Sequence, residues 1–286
     1  MASSHTHRLG NLDLHILSDG IYYQDAGAVF GIVPRVMWQR VVSPELDDQY
    51  RLPIGLNSLL VRSDGKLVLI ETGVGNKEGH RRQASPIEQG DLISALSALG
   101  IQPDEIDIVI NSHLHADHCG WNTRDGEGEN AIPTFPKARY LIQRGEWEAA
   151  TNPNERTRAT YLQENFRPLE ETGQLELVDG ELAVTSEITM ISTMGHTEDH
   201  ASIVLMSSGE TAIYIGDMVQ HHVQLERTAW VSSFDVLPLV SMETKKRIVE
   251  RAIDEQALII SVHEPFPGLG RMTRSEDGRK HWDIVE

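Results

Sequence analysis

The sequence predicts an α/β protein, and three observations carry that prediction. Short apolar runs, many alternating with a period of two, recur along the chain; a segment of helical period lies between two of them; and several runs end on histidine or aspartate. Strand, helix and strand in that order mark an α/β arrangement rather than an all-β one.

In chain order, residues 1 to 11 are polar and read as a frayed terminus, with His5 and His7 lacking a scaffold. Leu12 to Leu17 alternates and predicts a half-buried strand that turns His15 to solvent. Residues 20 to 52 fit neither period and read as an irregular N-terminal excursion. After the breakers Pro53 and Gly55, residues 56 to 62 and 66 to 71 predict two strands joined at Asp64-Gly65, a strong turn signal. The glycine loop Thr72 to Asn76 lacks nucleotide-binding spacing and reads as a tight turn.

Ile87 to Leu99 has the spacing of one helical face and stops at Gly100. A buried strand over 106 to 110 follows, then a surface excursion over 121 to 136 and a strand over 138 to 142. Asn152, Pro153 and Glu155 resemble a capped helix start, predicting a helix to about Phe166. Strands are expected at 174 to 178, 187 to 193, 201 to 206 and 211 to 215. Ser241 is placed to cap a helix through residue 255, and a final strand is expected over 257 to 262. No low-complexity linker divides the 286 residues, so a single domain over 1–286 is expected.

With 25 lysines and arginines against 43 aspartates and glutamates, the net charge is −18. That argues against nucleic acid or an anionic membrane as partner, because phosphate binding needs clustered cations. A small-molecule substrate is the natural alternative. A signal segment and a membrane-length apolar run are both missing from the sequence, and Cys119 is the one cysteine, so a soluble, cytoplasmic protein is expected. Before Gly120, Cys119 is a packing residue rather than a ligand.

The chemistry concentrates in Ser112 to Gly120, where His113, His115, Asp117 and His118 fall within six residues directly after a buried strand. Imidazole and carboxylate side chains suit zinc and its first-row neighbours, and ligands at this spacing on a loop can address two adjacent cations. Further apolar strands run toward His196, Asp217 and His263.

His113-Leu114-His115-Ala116-Asp117-His118, with Gly195-His196-Thr197, Gly216-Asp217 and Val262-His263 in order, resembles the metallo-β-lactamase superfamily over about residues 12 to 267. The resemblance implies a four-layer αβ/βα sandwich with a dinuclear site at one edge of its sheets. One metal would take His113, His115 and His196, the other Asp117, His118 and His263, and Asp217 would bridge them. Two divalent cations are implied, zinc first, with manganese, iron or cobalt as alternatives. His200 matches a further histidine of the family and implies a supporting role; Glu71 stands where many relatives carry aspartate.

The implied function is hydrolysis by a metal-bridging hydroxide, with Asp117 shuttling a proton. The segments Phe30 to Pro34, His118 to Asn122 and His263 to Gly268 look most like the branch of N-acyl homoserine lactonases and methyl-parathion hydrolase-like enzymes. Lactone opening, and with it quorum quenching, is therefore expected first. A phosphotriesterase or arylesterase is the alternative, and a di-iron redox member of the fold a more distant one. Gln220 departs from the tyrosine of well-studied lactonases, so another group must serve the leaving oxygen. Candidates for substrate contact are Phe30, Met37, Trp38, Gln220, His221 and His222, with Trp230 and Phe234 as further pocket aromatics. For His221 and His222 a solvent-exposed pair competes with contact. Homodimerisation through the N-terminal excursion is compatible with the sequence.

Overall fold

The computed structural model describes residues 3–77, 88, 90–126 and 130–286. The chain begins with a hairpin, not a frayed end. Strand β1 (Ser3–Leu9) pairs antiparallel with β2 (Leu12–Asp25) across the turn at Gly10-Asn11. Imidazoles hid the alternation, since His5, His7 and Leu9 share one face while Thr6 and Arg8 are exposed on the other. As predicted, His15 is not buried in the core; its ring bonds Thr6 Oγ1 at 2.9 Å.

Much of the expected excursion is regular. β2 continues to Asp25, helix α1 (Ala26–Phe30) is capped by the Asp25 side chain, and α2 (Arg35–Val42) follows. Strand β3 (Arg51–Ser63) runs through Pro53 and Gly55, which therefore do not break it. Proline is tolerated in a strand where its missing N–H costs no ladder bond, and Gly55 is required because a Cβ there would lie 2.4 Å from the Glu264 carbonyl oxygen. Between Ser18↔Asn57 and Ile21↔Gly55 the register shifts, so Asp19 and Gly20 together oppose Leu56 alone. This is a β-bulge, and Gly20 adopts φ 123° in it.

Strand β4 (Lys66–Ile70) returns through Asp64-Gly65, where both residues have positive φ as a two-residue hairpin turn requires. Helix α3 (Leu92–Ala98) starts later than predicted because Asp91 caps it, accepting from Ser94 N–H at 2.6 Å. Of the predicted span, residues 87 and 89 lie outside the described residues. Then come β5 (Ile108–Ile110), the small hairpin β6 (Thr123–Asp125) and β7 (Ala131–Pro133), and β8 (Arg139–Gln143). The 121 to 136 stretch is more than surface, since Trp121, Asn122 and Thr123 are buried.

The helix predicted from Asn152 is absent. Helix α4 (Arg144–Thr151) precedes it and Asn152 closes it. The Asn154 side chain accepts from Arg156 and Thr157 N–H, stabilising a turn that competes with helix. The stretch resumes in a short 3-10 turn and α5 (Arg167–Glu171). β9 (Leu175–Val178), β10 (Leu182–Ala183), β11 (Ile188–Ser192), β12 (Ala201–Ser207) and β13 (Glu210–Tyr214) follow, then α6 (Val223–Glu226). Helix α7 (Pro238–Asp254) begins with Pro238 in its first turn, so Ser241 is inside it rather than its cap. β14 (Leu258–Ile260), β15 (Leu269–Arg274) and β16 (Lys280–Ile284) complete the chain, the last two unpredicted.

Among the described residues the strands form two large sheets, ordered β1-β2-β3-β4-β5-β8-β9 and β10-β11-β12-β13-β14-β15-β16. Their facing sides pack Leu14, Ile16, Leu59, Val68 and Ile110 against Ile203, Leu205, Tyr214 and Ile260. On the outer face of the first sheet, Leu69, Val109 and Tyr140 meet Leu92, Leu96 and Trp147. On that of the second, Ile213 and Ile259 meet Ile248, Val249 and Ala252. Helix, sheet, sheet and helix are the four layers expected. Phe30, Trp38, Leu52, Ile54 and Trp230 form a separate apolar cluster under α1 and α2. No helix among the described residues is long and apolar enough to cross a membrane.

Candidate metal centre

The site forms where strands of both sheets end. β5 stops at Ile110, and the loop after it is fixed by backbone bonds: Ser112 N–H donates to Glu71 Oε1 at 2.7 Å, Leu114 N–H to Glu146 Oε1 at 2.8 Å. Leu114 and Cys119 are buried in the outer core and turn the polar side chains between them inward. The Cys119 thiol donates to the Leu114 and His115 carbonyls, and burial pushes its pKa up, as befits a packing residue. From the second sheet, His196 follows β11, Asp217 follows β13 and His263 follows β14.

The seven sequence-predicted donors are brought together. Asp217 stands in the middle, and its two oxygens face different groups. Oδ1 lies 2.7 Å from His263 Nε2 and 3.1 Å from His118 Nε2, while Oδ2 lies 3.2 Å from His196 Nε2 and 4.0 Å from His113 Nε2. His115 Nδ1 is 3.1 Å from His196 Nε2. Asp117 Oδ2 is 3.8 Å from His118 Nε2 and 3.9 Å from His263 Nε2. Two groups thus have donor atoms close enough to share an ion: His113, His115, His196 and Asp217, and Asp117, His118 and His263.

A cation fits these residues, on the evidence of their unsatisfied atoms. His113 Nε2, His118 Nε2, His263 Nε2 and Asp217 Oδ1 are buried without a hydrogen-bond partner. Buried polar atoms are seldom left so, and four gathered around Asp217 across the two groups are accounted for by bound positive charge. Burial and neighbouring imidazoles lower His113 and His115 well below the usual histidine range, toward the neutral form that ligates. Burial opposes charge on Asp217 too, but His263, His118 and His196 outweigh it and hold the carboxyl well below its usual range.

In three of the five cluster imidazoles the opposite ring nitrogen is anchored, which fixes the ring's direction. His113 Nδ1 bonds Ser112 Oγ at 2.9 Å, His196 Nδ1 bonds Asp235 Oδ1 at 3.0 Å, and His263 Nδ1 bonds the Gly55 carbonyl at 2.9 Å. Glu71 Oε2 stands 3.5 Å from His118 Nδ1, and Glu71 sits at φ 62°, a backbone conformation unusual for its type. Its role is therefore larger than a turn residue's. His200 accepts from Asp217 N–H at 3.0 Å, and burial and His196 lower its pKa to about 3, so it stays a neutral acceptor that places Asp217.

The substrate candidates are distributed differently. Phe30 and Trp38 are buried and stack with ring centroids 5.8 Å apart, forming the floor of the excursion rather than an open wall, and Trp230 packs edge-on to Phe30. Met37 is 49% exposed on α2. Gln220 is buried and its Oε1 accepts from Ser232 Oγ at 3.0 Å. His221 and His222 are not a free exposed pair: His221 is buried and bonded to Glu45 at 3.1 Å, and His222 is bonded to Glu264 at 3.0 Å. With Glu264 they too could hold an ion, but none of their side-chain atoms is among the buried unsatisfied ones, so hydrogen bonds to Glu45 and Glu264 already account for them.

Sequence reasoning missed Tyr22, Asp235 and Glu146, whose partners lie 95, 39 and 32 residues away. Tyr22 Oη donates to Asp117 Oδ2 at 3.1 Å, and burial together with Asp117 and Asp217 raises its pKa well above the usual phenol value.

Comparison with known proteins adds the family. Residues 53–262 match the Metallo-beta-lactamase superfamily. An N-acyl homoserine lactonase from a Bacillus species is 25% identical over 179 residues, which cover 62% of this chain and 63% of that protein. The chain thus spans slightly less than two thirds of the length of that curated relative. A structure described as a probable metal-dependent hydrolase from Staphylococcus aureus superposes with TM-score 0.86 at 24% identity, covering 98% of this chain and 99% of that one. AidC, described as a dizinc quorum-quenching lactonase, superposes with TM-score 0.85 at 21% identity over 100% and 98%. At these identities the two structures support the fold alone. The family match, by contrast, runs from β3 past the end of β14 and takes in every strand end that delivers a cluster residue except His263, which follows it directly; the chain belongs to the metallo-β-lactamase superfamily.

Proposed function

We propose that this superfamily hydrolase is dinuclear and opens lactones of the N-acyl homoserine type or closely related esters. The observation that carries the dinuclear reading is Asp217, whose Oδ1 faces His118 and His263 while Oδ2 faces His113 and His196. His113, His115 and His196 would hold one ion, Asp117, His118 and His263 the other, and Asp217 both. Two divalent cations, zinc first, supply an acidified water and a polarised carbonyl when bound.

The chain's own residues do the remainder. Asp235, Ser112 and the Gly55 carbonyl fix the imidazoles of His196, His113 and His263, so that little reorganisation of these rings is needed during reaction. Asp117, with a 26% exposed side chain, is accessible to substrate and able to carry a proton between water and product. The distant likeness to N-acyl homoserine lactonases favours a lactone over a phosphotriester.

The test pairs metal analysis with a substrate panel. Purified, zinc-loaded protein is expected to hold two ions per chain and to open N-acyl homoserine lactones, with weaker turnover of aryl esters. Turnover of aryl phosphotriesters without lactone opening would transfer the assignment to the phosphotriesterase alternative, and iron with visible absorption would favour the redox one. His115→Ala should lower metal content and abolish hydrolysis; unchanged activity in that variant refutes the site.

A further inference from the structure

Tyr22 reaches the cluster from a strand that supplies none of its histidines or aspartates. It lies on β2 beyond the bulge, paired with Ile54, and its hydroxyl donates to Asp117 Oδ2 at 3.1 Å. Its ring meets the His263 imidazole edge-on, with centroids 6.2 Å apart and planes at 84°. Asp117 is the cluster's most accessible member, its side chain 26% exposed against 0% for His118 and His263 and 3% for Asp217. Substrate approaching the cluster meets Asp117 first, and the phenol stands beside it. A tyrosine held by ring packing presents its hydroxyl with little conformational freedom to lose. Gln220, by comparison, is engaged with Ser232 and carries no comparably acidic proton.

We propose that Tyr22 is a catalytic residue of the ester reaction and gives its hydroxyl proton to the leaving oxygen. The assignment rests on the hydrolase reading above. Water adds its oxygen to the carbonyl carbon and gives one proton to Asp117. The bond from that carbon to the leaving oxygen breaks with its electron pair going to oxygen, which takes the Tyr22 proton. The phenolate then recovers the proton from Asp117, so that one water is consumed and acid and alcohol are released.

Tyr22→Phe keeps the ring against His263 and removes only the hydroxyl. Wild type and variant, both zinc-loaded, are compared on esters of one acid with alcohols from p-nitrophenol to simple alkanols, with metal content measured on the same samples. Metal content and KM should be unchanged. The kcat for alkyl esters and lactones should fall about 100-fold, while the p-nitrophenyl ester, whose leaving group needs no acid, should change by less than about threefold. A uniform loss along the series, or a loss of metal in the variant, overturns the role of Tyr22 and leaves the hydrolase reading intact. A wild-type protein that binds two zinc ions yet hydrolyses no ester or lactone overturns both.

Discussion

Asp19 shows how one side chain can hold the surroundings of a site without touching it. Its Oδ2 accepts from Val74 and Gly75 N–H and its Oδ1 from Leu92 N–H and Trp121 Nε1, so the glycine loop, helix α3 and the loop after Cys119 share one anchor. Asparagine offers one acceptor oxygen and would turn an NH2 group toward two donors. With each orphaned buried donor costing about 1–3 kcal/mol, Asp19→Asn should lower unfolding free energy by about 2–5 kcal/mol at pH 7, where the carboxyl is ionised. Burial raises this carboxyl to about 6 despite its four donors. A raised folded pKa means the folded state binds the proton more tightly than the unfolded chain. Titration of this group therefore gives the wild type alone a contribution that is full below about pH 4 and is lost as pH rises through 6, by up to roughly 3 kcal/mol. Urea unfolding of both proteins at pH 4, 5, 6 and 7 measures it, and an advantage that grows with pH contradicts the account. Asp19 was invisible in the sequence because its partners lie 55 to 102 residues away. The cluster residues were visible because four of them share one loop.

Two loops, Thr72 to Asn76 and Cys119 to Thr123, lie so close that a side chain between them has no room. A Cβ on Gly120 would stand 2.0 Å from the Val74 carbonyl carbon and oxygen, and Gly120 N–H donates to the Gly73 carbonyl at 2.7 Å. Gly120→Ala should force the loops apart, costing about 1–3 kcal/mol, and displace His118, two residues earlier. Calorimetry should record the lowered Tm and elemental analysis a loss of metal; full metal content at reduced Tm would separate packing from the site. Local patterns predicted most strands correctly, since Val, Ile and Leu runs such as 108 to 110 and 258 to 260 admit few alternatives. They failed where side chains compete for backbone bonds, as Asn154 does after α4, and where histidines take apolar positions, as in β1.

At the level of the molecule, the cluster joins the two sheets. His113, His115, Asp117 and His118 hang from the first, His196, Asp217 and His263 from the second, and the charge of −18 makes cation binding more favourable still. Bound ions should therefore stabilise the whole fold. Free zinc at a hundredfold excess over its Kd adds about 2.7 kcal/mol for one ion, or roughly 5–10 °C in Tm for a chain of this size. A strong chelator should reverse that shift, and a Tm indifferent to both treatments would show that the cluster binds no ion. The sandwich was foreseen through resemblance, whereas strand pairing was not: nothing in the β15 and β16 segments announced that they close the second sheet beside β14.

The bulge at Asp19 and Gly20 sets the parity of everything after it. Before it, the even residues of β2 share a face with Leu59 and Val61; after it, Ile21 takes that face through Gly55, and Tyr22 takes the other through Ile54. Pairing the strands straight through without the bulge would set Gly20 opposite Gly55 and Tyr22 opposite Pro53, turning Tyr22 away from Asp117. The cluster would keep every side chain and lose the phenol beside Asp117 to a slip of one residue, so in this segment the bulge's extra residue matters as much as residue identity.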